Sequence, residues 1–316
     1  MDSKSGIIIK STGSWYHVMD KEGLVYKCKL RGKFRLKNLK ATNPLTVGDR
    51  VTFHWDAKLA SGVIDELEER KNYIARKSSN LSRQYHIIAA NLDLVLITAS
   101  VVRPQVSPGF IDRYLVIAEA HEIKPVIIFN KTDLALEGEA ADRLQRLAEI
   151  YGSLGYEIWQ VSAKTGENLQ ELKSRIHGKV SLISGQSGVG KSTLLNKFNP
   201  SLNLKTWQIS DFTGKGQHVT TFYEMHPVDD DTFVIDSPGL RELGLFEFEP
   251  FEISLFYPEM KKVSGACRFN TCLHLAEPGC AVRQAFENNE IYPERYQSYL
   301  KIIEDFKDEK PYYSKS

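Results

Sequence analysis

Nine consecutive residues constrain this chain more than any other stretch: Gly185, Gln186, Ser187, Gly188, Val189, Gly190, Lys191 and Ser192, with Thr193 after them. They fit the pattern in which a glycine-rich turn leads a strand into a helix around a phosphate. The context agrees, because residues 180–184 read as an apolar strand and 192–198 carry helical periodicity. Glycines let successive backbone N–H groups turn inward around an anion, and the following helix presents its positive end. In such a loop Lys191 reaches the β and γ phosphates and Ser192 ligates Mg²⁺. A glycine turn that holds no nucleotide is the alternative for the loop taken alone. The middle of the chain favours the first reading. Apolar runs at 92–99, 125–129, 157–161, 180–184 and 232–235 alternate with helical periodicity at 109–121, 140–154, 168–176 and 192–198. That alternation predicts an α/β doubly wound, mostly parallel sheet, which binds ligands at the carboxyl ends of its strands.

Three further elements stand at such strand ends. Asn130, Lys131, Thr132 and Asp133 follow the run at 125–129 and match Asn-Lys-x-Asp. An aspartate there accepts hydrogen bonds from guanine N1–H and the exocyclic amine, a donor pair that adenine lacks. Ser162, Ala163 and Lys164 follow the run at 157–161, in the place where a backbone N–H supports guanine O6. Asp236, with Gly239 three residues on, matches the Asp-x-x-Gly element that holds Mg²⁺ through water and senses the γ-phosphate. Each short motif alone is as well explained by a surface turn, but the four together predict a GTP site. Their order is unusual: the base-reading elements precede the phosphate loop. The expected fold is therefore a circularly permuted P-loop GTPase core. Permutation is tolerated where the old termini lie close together at the surface.

A GTPase must orient a water against the γ-phosphate, and in Ras-like proteins a Gln after Asp-x-x-Gly does so. Here that position is Leu240, which cannot hydrogen-bond water. The glycine-flanked segment 214–221 matches the first switch in position. Within it Thr220 or Thr221 is placed to close on Mg²⁺ and the γ-phosphate, and His218 either places the water or is a solvent-exposed loop residue. His17, His54, His86, His121, His177 and His226 have no clustered partners and are expected to be structural.

The first forty residues hold ten Lys or Arg against three Asp or Glu, a local balance of +7 inside a chain of formal net charge +1. Strand candidates at 6–11, 14–19, 24–30, 50–55 and 60–67 suit a small five-stranded barrel of OB type. From position 27 cationic residues alternate with mostly apolar ones: Lys27, Lys29, Arg31, Lys33 and Arg35 against Cys28, Leu30, Gly32 and Phe34. In an extended strand these occupy opposite faces. The cationic face would track phosphates, as an RNA-binding surface or as a solvated basic wall. Cys28 falls on the apolar face and is expected in the core.

Near the C-terminus Cys267, Cys272, His274 and Cys280 give a C-x4-C-x-H-x5-C spacing. Three thiolates and an imidazole make a closed, structural Zn²⁺ site, and free buried thiols are the alternative. Composition is that of a soluble globular protein, and the polar start opens no signal-peptide core. The longest apolar runs are strand-length, so no membrane segment is expected, and four cysteines suit a reducing cytoplasm.

The permuted motif order combined with this Cys/His spacing resembles the bacterial ribosome small subunit-dependent GTPase A family, over essentially all 316 residues. The resemblance implies an OB-fold domain (1–70), a permuted GTPase domain (71–245) and a mainly helical zinc-binding domain (246–316). It implies one structural zinc at Cys267, Cys272, His274 and Cys280, Mg²⁺ held by Ser192, Thr220 and Asp236, and GTP as substrate. It further implies action late in 30S maturation at the decoding region, contact with 16S rRNA, and GTP hydrolysis stimulated by the small subunit. A monomer is expected. One departure is visible: the family's His-Thr-Thr reads His218-Val219-Thr220 here, so Thr220 is favoured over Thr221 and no role carries onto position 219. Two rival readings stay open. One is another P-loop class, an ATPase or kinase, against which Asp133 argues; the other is an RNA-binding assembly factor that senses nucleotide without turnover, which Leu240 keeps in play.

Overall fold

The computed structural model describes residues 2–31, 41–77, 85–204, 223–236, 245 and 247–309. The alternation in the N-terminal region resolves into β1 (Asp2–Ser11), β2 (Tyr16–Met19), β3 (Val25–Leu30), β4 (Arg50–Asp56) and β5 (Ser61–Leu67). They close into a barrel of order β1-β2-β3-β5-β4. β3 shows the cause most clearly: Tyr26 and Cys28 point inward and are buried, while Lys27 and Lys29 are exposed. Ile8, Val18, Val51, Phe53 and Ile64 complete the fill. β3 pairs in parallel with β5, and β1 pairs with β4 through residues 2–7 and with β2 through residues 7–11, the latter ladder carrying a one-residue register shift between Ile8 and Lys10. The barrel is of OB type. Its cationic alternation holds through Arg31; residues 32–40, with Lys33 and Arg35, lie outside the described set.

An antiparallel hairpin of β6 (Tyr73–Lys77) and β7 (Tyr85–Ala90) joins the barrel to the core. Neither strand was expected: Arg76 and Lys77 interrupt the apolar signal of the first, and the second abuts the run at 92–99. The core sheet is six-stranded, ordered β10 (Glu157–Val161), β9 (Lys124–Asn130), β8 (Leu94–Ala99), β11 (Val180–Gly185), β13 (Phe233–Asp236), β12 (Met225–Pro227). The first five run parallel, and β12 is an antiparallel edge too short to announce itself in sequence.

Alternate residues of each central strand serve different layers. Val95, Ile97, Ile127 and Phe129 pack with α1 (Pro108–Ala120) and α2 (Gly138–Ser153). Leu94, Leu96, Val126 and Ile128 pack with α3 (Leu169–Ile176) and α4 (Lys191–Phe198). Burial on both faces is why these strands read as unbroken apolar runs. The C-terminal part is helical: a 3-10 stretch Pro250–Phe256, then α5 (Pro258–Ser264), α6 (Ala281–Glu287) and α7 (Pro293–Glu309). Tyr257, Met260, Tyr299, Ile302 and Ile303 join the α1–α2 layer, so this region shares the core of the GTPase sheet. Among the described residues no helix is long and apolar enough to cross a membrane.

Candidate nucleotide site

Strand register brings the separated motifs to one edge. Gly185 lies beside Thr98 of β8, Asp236 beside Ile183 of β11, and Asn130 beside Val161 of β10. The four sequence elements therefore leave the sheet at the same carboxyl end, where strand order sets proximity and chain order does not. α4 begins at Lys191 with Gly190 as its cap at φ +102°, and Gly188 sits at φ +77°. Both angles favour glycine. Gly190 carries a second constraint, since a Cβ there would collide with the Asn130 amide.

The base-reading segment also builds the phosphate loop. Asn130 Nδ2 donates to the Val189 carbonyl at 2.9 Å while its Oδ1 accepts from the Ala163 backbone N–H at 2.9 Å. One buried amide thus fixes three motifs relative to each other. Lys131, in the left-handed region at φ +70°, donates from Nζ to the Gly188 carbonyl at 2.6 Å and to the Arg103 carbonyl. Burial holds its ammonium below the usual lysine range, against the opposing pull of Asp133. Ser162 Oγ donates to Asp133 Oδ1 at 2.7 Å and accepts from the Thr165 N–H at 3.1 Å. Asp133 is thereby oriented through Oδ1, and its carboxylate keeps acceptor capacity on both oxygens for a ligand. Thr132 Oγ1 donates to Glu167 Oε2 at 3.0 Å, and the Glu167 carbonyl accepts from Ser162 N–H at 3.2 Å. Glu167 is a supporting residue that sequence reasoning missed, because it belongs to no motif. Lys164 is exposed, and its backbone follows the buried Ala163.

On the phosphate side, Lys191 Nζ lies against the Gly185 and Gln186 carbonyls at 2.7 and 3.3 Å. Burial lowers its pKa and Asp236 opposes that shift; burial likewise raises Asp236, against Lys191 and His226. Asp236 Oδ1 is buried with no hydrogen-bond partner among the described residues. A buried, unpaired carboxylate oxygen near a helix start carrying Ser192 fits a hydrated divalent cation. Ser187 is exposed, and Gln186, Ser192 and Thr193 are partly exposed. His218, Thr220, Gly239 and Leu240 lie outside the described residues.

These features, a phosphate loop between parallel strands and guanine-type motifs ahead of it in the chain, set the terms for comparison with known proteins. The profile for the RsgA GTPase matches residues 67–246, and that for the RsgA N-terminal domain matches residues 5–64. The chain belongs to the RsgA GTPase family. It is a GTP hydrolase with a circularly permuted core. The Small ribosomal subunit biogenesis GTPase RsgA of Bacteroides fragilis is 46% identical over 300 residues, covering 95% of this chain and 96% of that one. The protein of the same name from Flavobacterium johnsoniae is 47% identical over 302 residues, covering 95% and 93%. Among solved structures, YjeQ from Thermotoga maritima superposes with a TM-score of 0.77 at 36% identity over 96% of this chain and 98% of its own. YloQ, a circularly permuted GTPase, does so at 0.74 and 31% over 99% and 98%.

The Cys/His cluster forms between α5 and α6. The ligand atoms of Cys267, Cys272, His274 and Cys280 all lie within 4.8 Å of one another. Tetrahedral zinc with Zn–S of about 2.3 Å sets sulfurs roughly 3.8 Å apart, so the set fits. His274 presents Nδ1, at 3.3 Å from Cys280 Sγ and 3.6 Å from Cys267 Sγ. Supporting contacts hold the loop: Tyr296 and Tyr299 donate to the His274 and Leu273 carbonyls at 2.7 and 2.8 Å. Glu277 accepts from the N–H groups of Leu273, Leu275 and Ala276. Burial pushes the Cys272 thiol up to about 12.

Proposed function

We propose that this GTPase acts in small ribosomal subunit biogenesis in the cytoplasm, binding the 30S subunit through 16S rRNA as a monomer and hydrolysing GTP to GDP and phosphate faster when bound. Supporting the ribosomal part are the names its relatives carry and the basic barrel face. The observation that carries the nucleotide part is the Asn130–Lys131–Asp133 network, in which one segment supports the phosphate loop and presents an oriented carboxylate. Residues 1–70, 71–245 and 246–316 act as RNA-binding, GTPase and zinc-binding domains.

Asp133 accepts the guanine N1–H and amine, while the backbone after Ser162 supports O6. N–H groups of residues 186–193 and the Lys191 ammonium hold the phosphates. Ser192, Asp236 and Thr220 would hold Mg²⁺, which supplies charge neutralisation at the transferring phosphoryl group. Cys267, Cys272, His274 and Cys280 would hold one zinc of structural role. With Leu240 in place of a polar water-holder, the free protein turns over slowly. On the subunit, Thr220 would act on the metal and His218 on the attacking water. Steady-state GTP hydrolysis with and without purified 30S and 50S subunits tests this reading. Stimulation confined to 30S supports it, and equal rates in all three conditions overturn it. On saturating 30S, His218→Ala is expected to lower single-turnover hydrolysis by roughly 10²- to 10⁴-fold while GTP affinity stays near normal. Full retention of that rate removes the histidine from the mechanism.

A further inference from the structure

The charges on the barrel's outer wall are unequal once their partners are named. Lys4 lies 3.5 Å from Asp20, Lys10 pairs with Glu224 at 2.9 Å, and Arg31 pairs with Asp65 at 2.7 Å. Arg31, expected to contact phosphate, therefore has its charge largely answered within the barrel. Lys27 and Lys29 differ. Both are exposed, neither makes an ion pair among the described residues, and both place their ammonium over the same indole, that of Trp15, at 4.4 and 4.3 Å. Trp15 immediately precedes β2, and the pairing of Tyr16 with Cys28 sets it beside Lys29 on the outer wall. The indole is partly exposed, whereas its neighbour Tyr16 is buried in the barrel core. An aromatic plane flanked by two uncompensated cations has the chemistry of a single-strand nucleic-acid platform, in which bases stack and lysines take the flanking phosphates. OB barrels use this β2–β3 face for oligonucleotides. A purely duplex-binding surface would need the cations but would have no use for a π-face.

We propose that Trp15 is a stacking platform for one unpaired RNA base, with Lys27 and Lys29 moving from the indole to the phosphates beside that base. This specifies the RNA contact of the function proposed above and rests on it. A base–aromatic stack of about 1–3 kcal/mol offsets the two exposed cation–π contacts, of about 0.5–1 kcal/mol each, and the released lysines gain the phosphates beside the base.

The test uses the full chain, its Trp15→Leu and Trp15→Phe variants, and the double variant Lys27→Gln/Lys29→Gln, each checked for an unchanged melting temperature. The probes are a fluorescent single-stranded 12-mer RNA, the same sequence in a blunt duplex, and purified 30S subunits, at several salt concentrations. Trp15→Leu is expected to weaken single-strand binding by about 5- to 150-fold with an unchanged salt slope, and Trp15→Phe to restore most of it. Duplex affinity stays within twofold. The double lysine variant lowers the single-strand salt slope by about 1.4, for two phosphates released. The proposal is overturned if the unaltered chain fails to bind the 12-mer, if Trp15→Leu binds it within twofold of the unaltered chain, or if single-strand and duplex binding fall together. An unaltered chain that does not bind 30S overturns the ribosomal reading instead. An unaltered chain that binds 30S, with Trp15→Leu binding the 12-mer equally, sinks the stack alone.

Discussion

The nucleotide site and the C-terminal helical region solve the problem of buried polar groups in opposite ways. At the nucleotide site polar side chains are satisfied by backbone groups of the loops they organise: Asn130 by Val189 and Ala163, Lys191 by Gly185 and Gln186. In the C-terminal region a charge is satisfied by other charges. Arg295 of α7 is fully buried, donating to Glu259 of α5 at 2.7 and 3.3 Å and to Asp112 of α1, with its guanidinium 4.3 Å from the Tyr257 ring centroid. Tyr151 of α2 adds a hydrogen bond to Asp112 at 2.8 Å. The first arrangement keeps a site open at the sheet edge for an anion. The second closes a seam between two parts of the chain. Damage to the first should therefore cost ligand affinity, and damage to the second should cost stability.

The largest effect should come from the metal cluster. With zinc bound, its loss through Cys272→Ser or exhaustive chelation removes a contribution on the order of 10 kcal/mol to local folding. The C-terminal helices should loosen while GTP binding survives, as read by elemental analysis, hydrogen exchange and nucleotide titration. Carefully prepared protein without stoichiometric metal contradicts this. Next comes Arg295→Ala, which leaves Asp112 and Glu259 buried without their cation and should cost about 3–5 kcal/mol in urea unfolding. A loss below 1 kcal/mol would mean that the seam contributes little, and the contrast would fail there.

Asp133→Asn turns to the open site. Loss of a charged bidentate acceptor should weaken GTP binding by about 2–4 kcal/mol and favour xanthosine nucleotides, with unfolding unchanged. Equal competition by ATP and GTP for the unaltered protein removes the guanine assignment. The smallest effect should be that of Ser162→Ala. It deletes one hydrogen bond to Asp133 and should reduce GTP affinity by roughly 1 kcal/mol, about fivefold, again without a stability change. If Ser162→Ala destabilises the fold as much as Arg295→Ala does, the two regions are not distinguished in the way their contacts suggest.

The same contrast explains what was legible beforehand. Gly190, Lys191 and Asn130 were readable because phosphate and guanine chemistry demand those residue types at short, fixed spacings. The convergence of Cys267, Cys272, His274 and Cys280 was readable for the same reason, as a set with metal-binding spacing a few residues apart. The partition of the sheet into two layers was readable in the apolar runs, since both faces of each strand are covered. Glu167, Trp15 and Arg295 were not. Glu167 supports Thr132 across 35 positions. Trp15 meets Lys27 and Lys29 only once β2 folds back on β3. Arg295 belongs to no motif, and its partner Asp112 lies 183 positions away.

By itself, then, the sequence determined which chemistries the chain can perform and which elements would carry them. Motif spacing and hydrophobic period act over a few residues, where covalent geometry dictates position. The tertiary structure alone decided which charges remain free and which are answered. It pairs Arg31 with Asp65 and leaves Lys27 and Lys29 beside Trp15. That outcome depends on strand register and helix packing, which bring together residues whose separation along the chain holds no record of their contact.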